Sequence, residues 1–227
     1  MLKLYHGTNL SSAFDIFLHG VDLGKSLGRL DFGRGFYVTD NKRKAIDRAR
    51  KKTNDYNRRY GCAEDAYLVE VYLDEEKLSQ LNYKEFEFRS KEWFEFVINN
   101  RLSREFLEEH DLKNHNRDNR FDIVSGEIAD GRISQIANDI DNKMLQWNEV
   151  DYSEILPQDG KNYGYQYSFH TKRALTCMEI GSCDIMSLRE NQAAAKQPFG
   201  FLGSLTSKCP AFSRTISAIA RICEFMI

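Results

Sequence analysis

The sequence predicts an α+β domain, and three observations carry that prediction. Tyr67-Leu68-Val69-Glu70-Val71-Tyr72-Leu73 has the aromatic and β-branched density of a strand. Tyr163 to Phe169 alternates with a period of two, which also reads as a strand. Lys42 to Tyr60 instead places Ala45, Ile46, Ala49, Tyr56 and Tyr60 near helical period, with lysines and arginines on the other faces. A chain of 227 residues is long enough to bury one main core.

Taken in order, Leu2 to Tyr5 is a first strand that stops at a His6-Gly7-Thr8-Asn9 turn. Asn9 or Ser11 caps a helix with Ala13, Ile16 and Phe17 on its apolar side, and Gly20 ends it. Asp31 to Asp40 is a glycine loop entering a strand at Tyr37, and the basic helix follows. After the central strand at Tyr67–Leu73 come a short helix at Asp74–Leu81, a strand at Tyr83–Phe88, and a helix capped by Ser90 that carries Trp93, Phe94, Val97 and Ile98. A helix from Glu105 leads to an exposed loop. Phe121 to Gly126 is a buried strand, and Ile133, Ile136, Ala137, Ile140 and Met144 mark another helix. On the strand ending at Phe169, Tyr165, Tyr167 and Phe169 share one face, while Gln166, Ser168 and His170 line a polar face bordering a site or water. Thr171 caps a last short helix through Ala174, Leu175 and Met178. Residues 181–227 form a separate tail whose Ser213–Ile227 stretch has helical periodicity.

Composition bounds the function. Hydrophobic residues are 41% and charged residues 29%, which excludes a disordered or membrane-embedded chain, and no apolar run is long enough to span a bilayer. A net charge of −2 argues against a protein dominated by nucleic-acid backbone contacts, although Lys42–Arg59 opposes its many cations only with Asp47 and Asp55. Five cysteines without metal-ligand spacing read as reduced thiols, and the absence of a signal-like N-terminus makes the cytoplasm the expected compartment. His110 and His115 lack the spacing of a metal pair, so no metal is expected.

The chemistry concentrates in Asp31-Phe32-Gly33-Arg34-Gly35-Phe36-Tyr37-Val38-Thr39-Asp40. Gly33 and Gly35 suit close approach of the backbone to a ligand, Arg34 suits an anion, and Phe36 and Tyr37 must face opposite sides of the strand. Three stretches together carry a resemblance: Leu4-Tyr5-His6-Gly7-Thr8, the Asp31–Thr39 loop and strand, and Gln166-Tyr167-Ser168-Phe169-His170-Thr171. With Trp93, Asn100-Arg101 and Phe121-Asp122-Ile123-Val124, they resemble a family of bacterial domains of unknown function in the ADP-ribosyltransferase-like superfamily of the His-Tyr-Glu type. The resemblance covers residues 2–180 and implies an NAD-binding split β-sandwich with flanking helices.

It further implies that His6 hydrogen-bonds the nicotinamide ribose, that the Gly7 backbone holds the carboxamide, and that Tyr37 stacks on the nicotinamide ring. Thr8, Gly33, Arg34 and Ser168 are the further candidate NAD contacts. The third catalytic position, often glutamate in the superfamily, is Gln166, which orients hydrogen-bonding partners but cannot act as a base at neutral pH. The expected function is mono-ADP-ribosyl transfer from NAD to a protein or nucleic-acid acceptor. The alternatives are an NAD glycohydrolase and a catalytically silent NAD-binding, ADP-ribose-binding or interaction module. The superfamily's use in toxins and genetic conflict adds a neutralising partner to the expectations.

Overall fold

The computed structural model describes residues 1–129, 131–151 and 164–186. Of the expected tail at 181–227, residues 181–186 instead continue a strand at Met178–Met186, and the rest, including the predicted helix at 213–227, lies outside the described residues. Seven strands form one open mixed sheet: β1 (Leu2–Asn9), β2 (Phe36–Thr39), β3 (Ala66–Leu73), β4 (Tyr83–Glu85), β5 (Ile123–Glu127), β6 (Tyr165–Phe169) and β7 (Met178–Met186). Their order is β4-β5-β6-β2-β1-β3-β7, parallel only between β4 and β5. The helices are α1 (Leu10–His19), α2 (Lys42–Tyr60), α3 (Lys91–Arg101), α4 (Arg104–Glu109), α5 (Gly131–Asp141) and α6 (Lys172–Leu175).

Each sheet face carries its own core. Val124 of β5 joins Trp93, Phe94, Val97 and Ile98 of α3 and Ile133, Ala137 and Ile140 of α5 on one side, with Phe32 of the glycine loop inserted among them. Leu4, Phe36, Val38, Val69, Val71 and Phe169 line the opposite side under Ala13 of α1 and Ala174 of α6. The alternation of β2 explains this division: Phe36 and Val38 belong to the second core while Tyr37 packs against the first.

Ser90 and Thr171 cap as expected, accepting hydrogen bonds from the backbone of Trp93 and Ala174; Asn41 caps α2 by accepting from Lys44 N, and Gly61 closes α2 in the left-handed region. Asn9 occupies the α1 cap position without capping; its amide donates to Glu64, whose carboxylate accepts the Ser11 N–H at 3.2 Å. Several expectations are corrected. His6 to Asn9 continues β1 rather than turning, because a full antiparallel ladder runs from Leu2↔Leu73 to Asn9↔Ala66. The helix at Asp74–Leu81 is a 3-10 segment at Glu75–Gln80, Phe17 is exposed, and Met178 begins β7 instead of ending a helix. Cys62 is disulfide-bonded, where thiols were expected, while Cys177 is a free buried thiol.

The buried side of α2 consists of Ala45, Ala49 and Thr53, not the tyrosines, and Tyr60 is half exposed. Small residues are required because α2 lies directly on Gly7: a Cβ there would fall within the Ala45 carbonyl oxygen and 2.8 Å from the Ala49 nitrogen. Both obstacles are helix backbone and cannot swing aside. Gly7→Ala is expected to lower stability by about 3 kcal/mol or more, whereas Gly28→Ala, whose Cβ meets nothing within 4 Å, should change it by less than ~1 kcal/mol. Denaturant unfolding of the two variants checks the difference.

Candidate functional site

His6, Tyr37 and Gln166 lie on three adjacent strands, β1, β2 and β6. β2 pairs along its whole length with β6, Tyr37 opposite Ser168 and Thr39 opposite Gln166. Its pairing with β1 is confined to Tyr5↔Thr39. Where that ladder stops, the His6 side chain takes over: its Nδ1 bonds the Tyr37 carbonyl oxygen at 2.7 Å, and its ring lies 4.5 Å from Phe36. A carbonyl only accepts, so Nδ1 carries the proton and Nε2 offers a lone pair. Nε2 makes no hydrogen bond among the described residues and is not sealed from solvent. Burial, then the charges of Lys52 and Arg48 on α2, push the His6 pKa down to about 4, so the ring is neutral at pH 7.

Strand parity separates the three functional ends. Tyr37, Thr39, Gln166 and Ser168 point to one face and His6 to the Phe36 side, and no hydrogen bond joins His6 to Gln166. The Tyr37 hydroxyl is occupied within the glycine loop, donating to Gly33 O at 2.6 Å and accepting from Phe32 N at 2.9 Å. Burial, then the nearby Asp31 charge, hold that phenol well above its ordinary pKa, so it stays a donor.

Gln166 is buried, and its amide nitrogen donates to Asp31 Oδ2 at 2.7 Å and to Glu127 O at 3.3 Å. Both neighbours are acceptors, which fixes the nitrogen on that side and leaves Oε1 as the group that retains solvent access. Asp31 was not among the sequence candidates. It also takes an ion pair from Arg101 of α3 and the Ala129 N–H at 3.3 Å, and Arg101 reaches Ser134 of α5. The signal for this pair was a carboxylate opening the glycine loop and an arginine at the end of α3, two positions far apart in sequence.

The remaining candidates divide. Gly7 is packed under α2, and Thr8 is fully buried, accepting from Lys52 at 2.8 Å. Ser168 is fully buried, with its hydroxyl 2.7 Å from His170 Nε2. His170 Nδ1 donates to Arg34 O at 2.6 Å, so Ser168 is the donor to Nε2, and burial lowers the His170 pKa to about 4. The polar face of β6 therefore borders a hydrogen-bonded layer in which Ser168 and His170 are sealed, and Gln166, buried overall, leaves only its Oε1 accessible. Gly33 and Gly35 permit close approach to protein rather than leaving an open cradle. A Cβ on Gly33, at φ 91°, would meet Asn116 O at 3.0 Å, and one on Gly35 would meet Phe169 O at 2.8 Å. Arg34 is exposed beside a cleft that also contains Gly33. Among the described residues no group of three His, Cys, Asp or Glu side chains is placed to hold a metal ion, and no helix is long and apolar enough to cross a membrane.

A family model described as a protein of unknown function, DUF3990, matches residues 2–180. The chain belongs to the DUF3990 family. No curated protein and no solved structure gives a significant match. In this DUF3990 chain, then, the match spans β1, the glycine loop, β2 and β6, which carry all the residues just described.

Two measurements test the polar layer. Gln166→Glu sets a second carboxylate against Asp31 and should cost on the order of 1–3 kcal/mol at pH 7, with the gap to wild type narrowing toward pH 5 as one of the two acids takes a proton. A gap that stays constant with pH would remove the Asp31 contact from the account. His6 and His170 have folded pKa values below their unfolded ones, so between about pH 4 and 6.5 the unfolded state binds more protons and stability falls as pH is lowered. His170 should account for about 2 kcal/mol of that loss and the half-buried His6 for less, so His170→Gln should flatten the pH dependence of the unfolding free energy across this window.

Proposed function

We propose that the domain is an ADP-ribosyltransferase-like split β-sandwich that cleaves NAD at the nicotinamide–ribose bond and transfers ADP-ribose to a protein or nucleic-acid acceptor. One observation carries this reading: two side-chain acceptors, His6 Nε2 and Gln166 Oε1, remain uncommitted on the strands flanking β2, where β1 and β2 part after a single paired position. Ribose hydroxyls are donors, and an acceptor held in place by its own internal hydrogen bond suits one of them; strand parity turns the two acceptors to opposite sides, so His6 and Gln166 meet different groups of the substrate rather than one diol. The parting of the strands agrees with the split architecture that the motif resemblance implies.

Cleavage develops oxocarbenium character at the anomeric carbon while the C–N electron pair leaves with nicotinamide. The acceptor nucleophile forms the new bond at that carbon and releases its proton to solvent. Gln166 carries no base function, so its contribution is orientation: the Asp31 contact aims its carbonyl, and the Tyr37 backbone aims His6. The Tyr37 ring, fixed by its two loop hydrogen bonds and stacked 6.4 Å from Phe32, offers an aromatic surface for the leaving nicotinamide, worth roughly 0.5–1.5 kcal/mol beyond area burial. The cationic exterior of α2 gives nucleic acid weight as an acceptor.

The purified protein is expected to release nicotinamide from NAD, and His6→Ala and Gln166→Ala should each slow release on the order of a hundredfold. Labelled NAD with cell extract then separates transfer from hydrolysis. NAD binding without release would leave a binding module, and no binding would sink the proposal.

A further inference from the structure

We propose that the cleft between the glycine loop and α3, lined by Arg29, Arg34 and Arg117, is a binding site for the diphosphate of a nucleotide. The cleft has a volume of about 230 Å³ and is lined by Gly28, Arg29, Gly33, Arg34, Asn100 and Arg117, with no acidic residue in the set. That is several times the ~30 Å³ share of one liquid water, room for a polyatomic anion. Three arginines line it, and acidic neighbours balance their charges only in part. Arg29 pairs with Asp141 at 3.1 Å, whereas neither Arg34 nor Arg117 has a carboxylate partner among the described residues.

Arginines held around one cleft repel one another: burial first, then the charge of Arg29, lower the Arg117 pKa, and Asp141 and Glu105 offset only part of this. A bound anion turns that repulsion into attraction. The planar fork of arginine matches phosphate oxygens in pairs, and two unbalanced guanidiniums plus the outer face of a third suit the two or more charges of a diphosphate better than a single carboxylate.

The position supports a nucleotide. Gly33 and Arg34 line the cleft, while in the same loop Asp31 fixes the Gln166 amide and Gly33 O takes the Tyr37 hydroxyl. One short loop thus joins the arginine cleft to the proposed reaction site. The assignment to a nucleotide rests on the NAD reading; the affinity for diphosphate does not.

The test is calorimetric titration of the full chain with inorganic pyrophosphate, at low salt and at physiological salt. Arg117→Ala and Arg34→Ala should each weaken binding at least tenfold, and Lys51→Ala on the exposed side of α2 should leave it unchanged. Neither arginine makes an ion pair among the described residues, so both variants should keep the wild-type melting temperature. Pyrophosphate affinity that both variants retain, or that Lys51→Ala lowers equally, overturns the site. ADP-ribose should compete with pyrophosphate and bind more tightly; failure to compete overturns the nucleotide assignment while the anion site stands. Absent nicotinamide release alongside intact ADP-ribose competition would instead remove the catalytic reading and leave the cleft in place.

Discussion

The buried carboxylate of Asp31 is the constraint on which this half of the molecule depends. It draws together Arg101 at the end of α3, Gln166 on β6 and the backbone of Ala129 beyond β5, and through Arg101 it reaches Ser134 on α5. An isolated charge at this depth would be prohibitively costly, and removing one partner of a buried pair costs about 3–5 kcal/mol because the other is left uncompensated. The ion pair need not add much to stability to be decisive for geometry. It admits only arrangements in which the glycine loop, two helices and the β5–β6 pair are all in place, and β2 leaves that loop with its course already set.

From there the polar interior is built by elimination of alternatives. Arg34 O fixes the His170 tautomer, His170 Nε2 accepts a hydrogen bond from the Ser168 hydroxyl, and the Tyr37 carbonyl fixes the His6 tautomer in the same way. Ser168 beside His170 has the hydrogen-bond distance of an activated nucleophile. Its setting denies that role, since the two are 0% and 3% exposed and no substrate reaches the hydroxyl. The pair positions the loop instead, clamping Arg34 at the chain segment that turns into β2. On the proposed reading, the groups with an open lone pair, His6 and Gln166, are the ones that meet the substrate.

Much of this was legible in the sequence, for physical reasons that differ by element. Strands β3 and β6 and helices α3 and α5 declare themselves through side-chain period, and Ser90 and Thr171 mark the starts of α3 and α6 by local backbone chemistry. Local signals failed where tertiary contacts decide. His6-Gly7-Thr8-Asn9 has the composition of a turn but is held extended by β3 on one side, with α2 pressed on Gly7. β7 was hidden because Met178-Glu179-Ile180-Gly181-Ser182 has weak alternation and is strand only through its ladder with β3. Tyr37 and Gln166 were expected on strands, but that β1, β2 and β6 lie side by side, with His6 inside β1, follows only from the ladders. The Asp31–Arg101 pair was not, since 70 residues separate its members and only the fold makes them neighbours.

The choice of glutamine at position 166 then follows from its surroundings. A glutamate there would face Asp31 across one hydrogen bond and would need a proton to stay; an amide supplies the donor that Asp31 wants and still turns a carbonyl outward. The consequence for chemistry is electrostatic. With His6 neutral and Arg101 balancing Asp31, the groups named around β2 bring no uncompensated negative charge to a developing oxocarbenium ion. On the proposed reading, rate acceleration must come from holding ribose and acceptor in register, and the nearest anion is the nucleotide's own diphosphate. A cationic cleft that anchors that diphosphate from the same loop that aims Gln166 would set where the substrate's charge lies relative to its breaking bond, which makes orientation, rather than acid–base exchange, the means by which this site does its work.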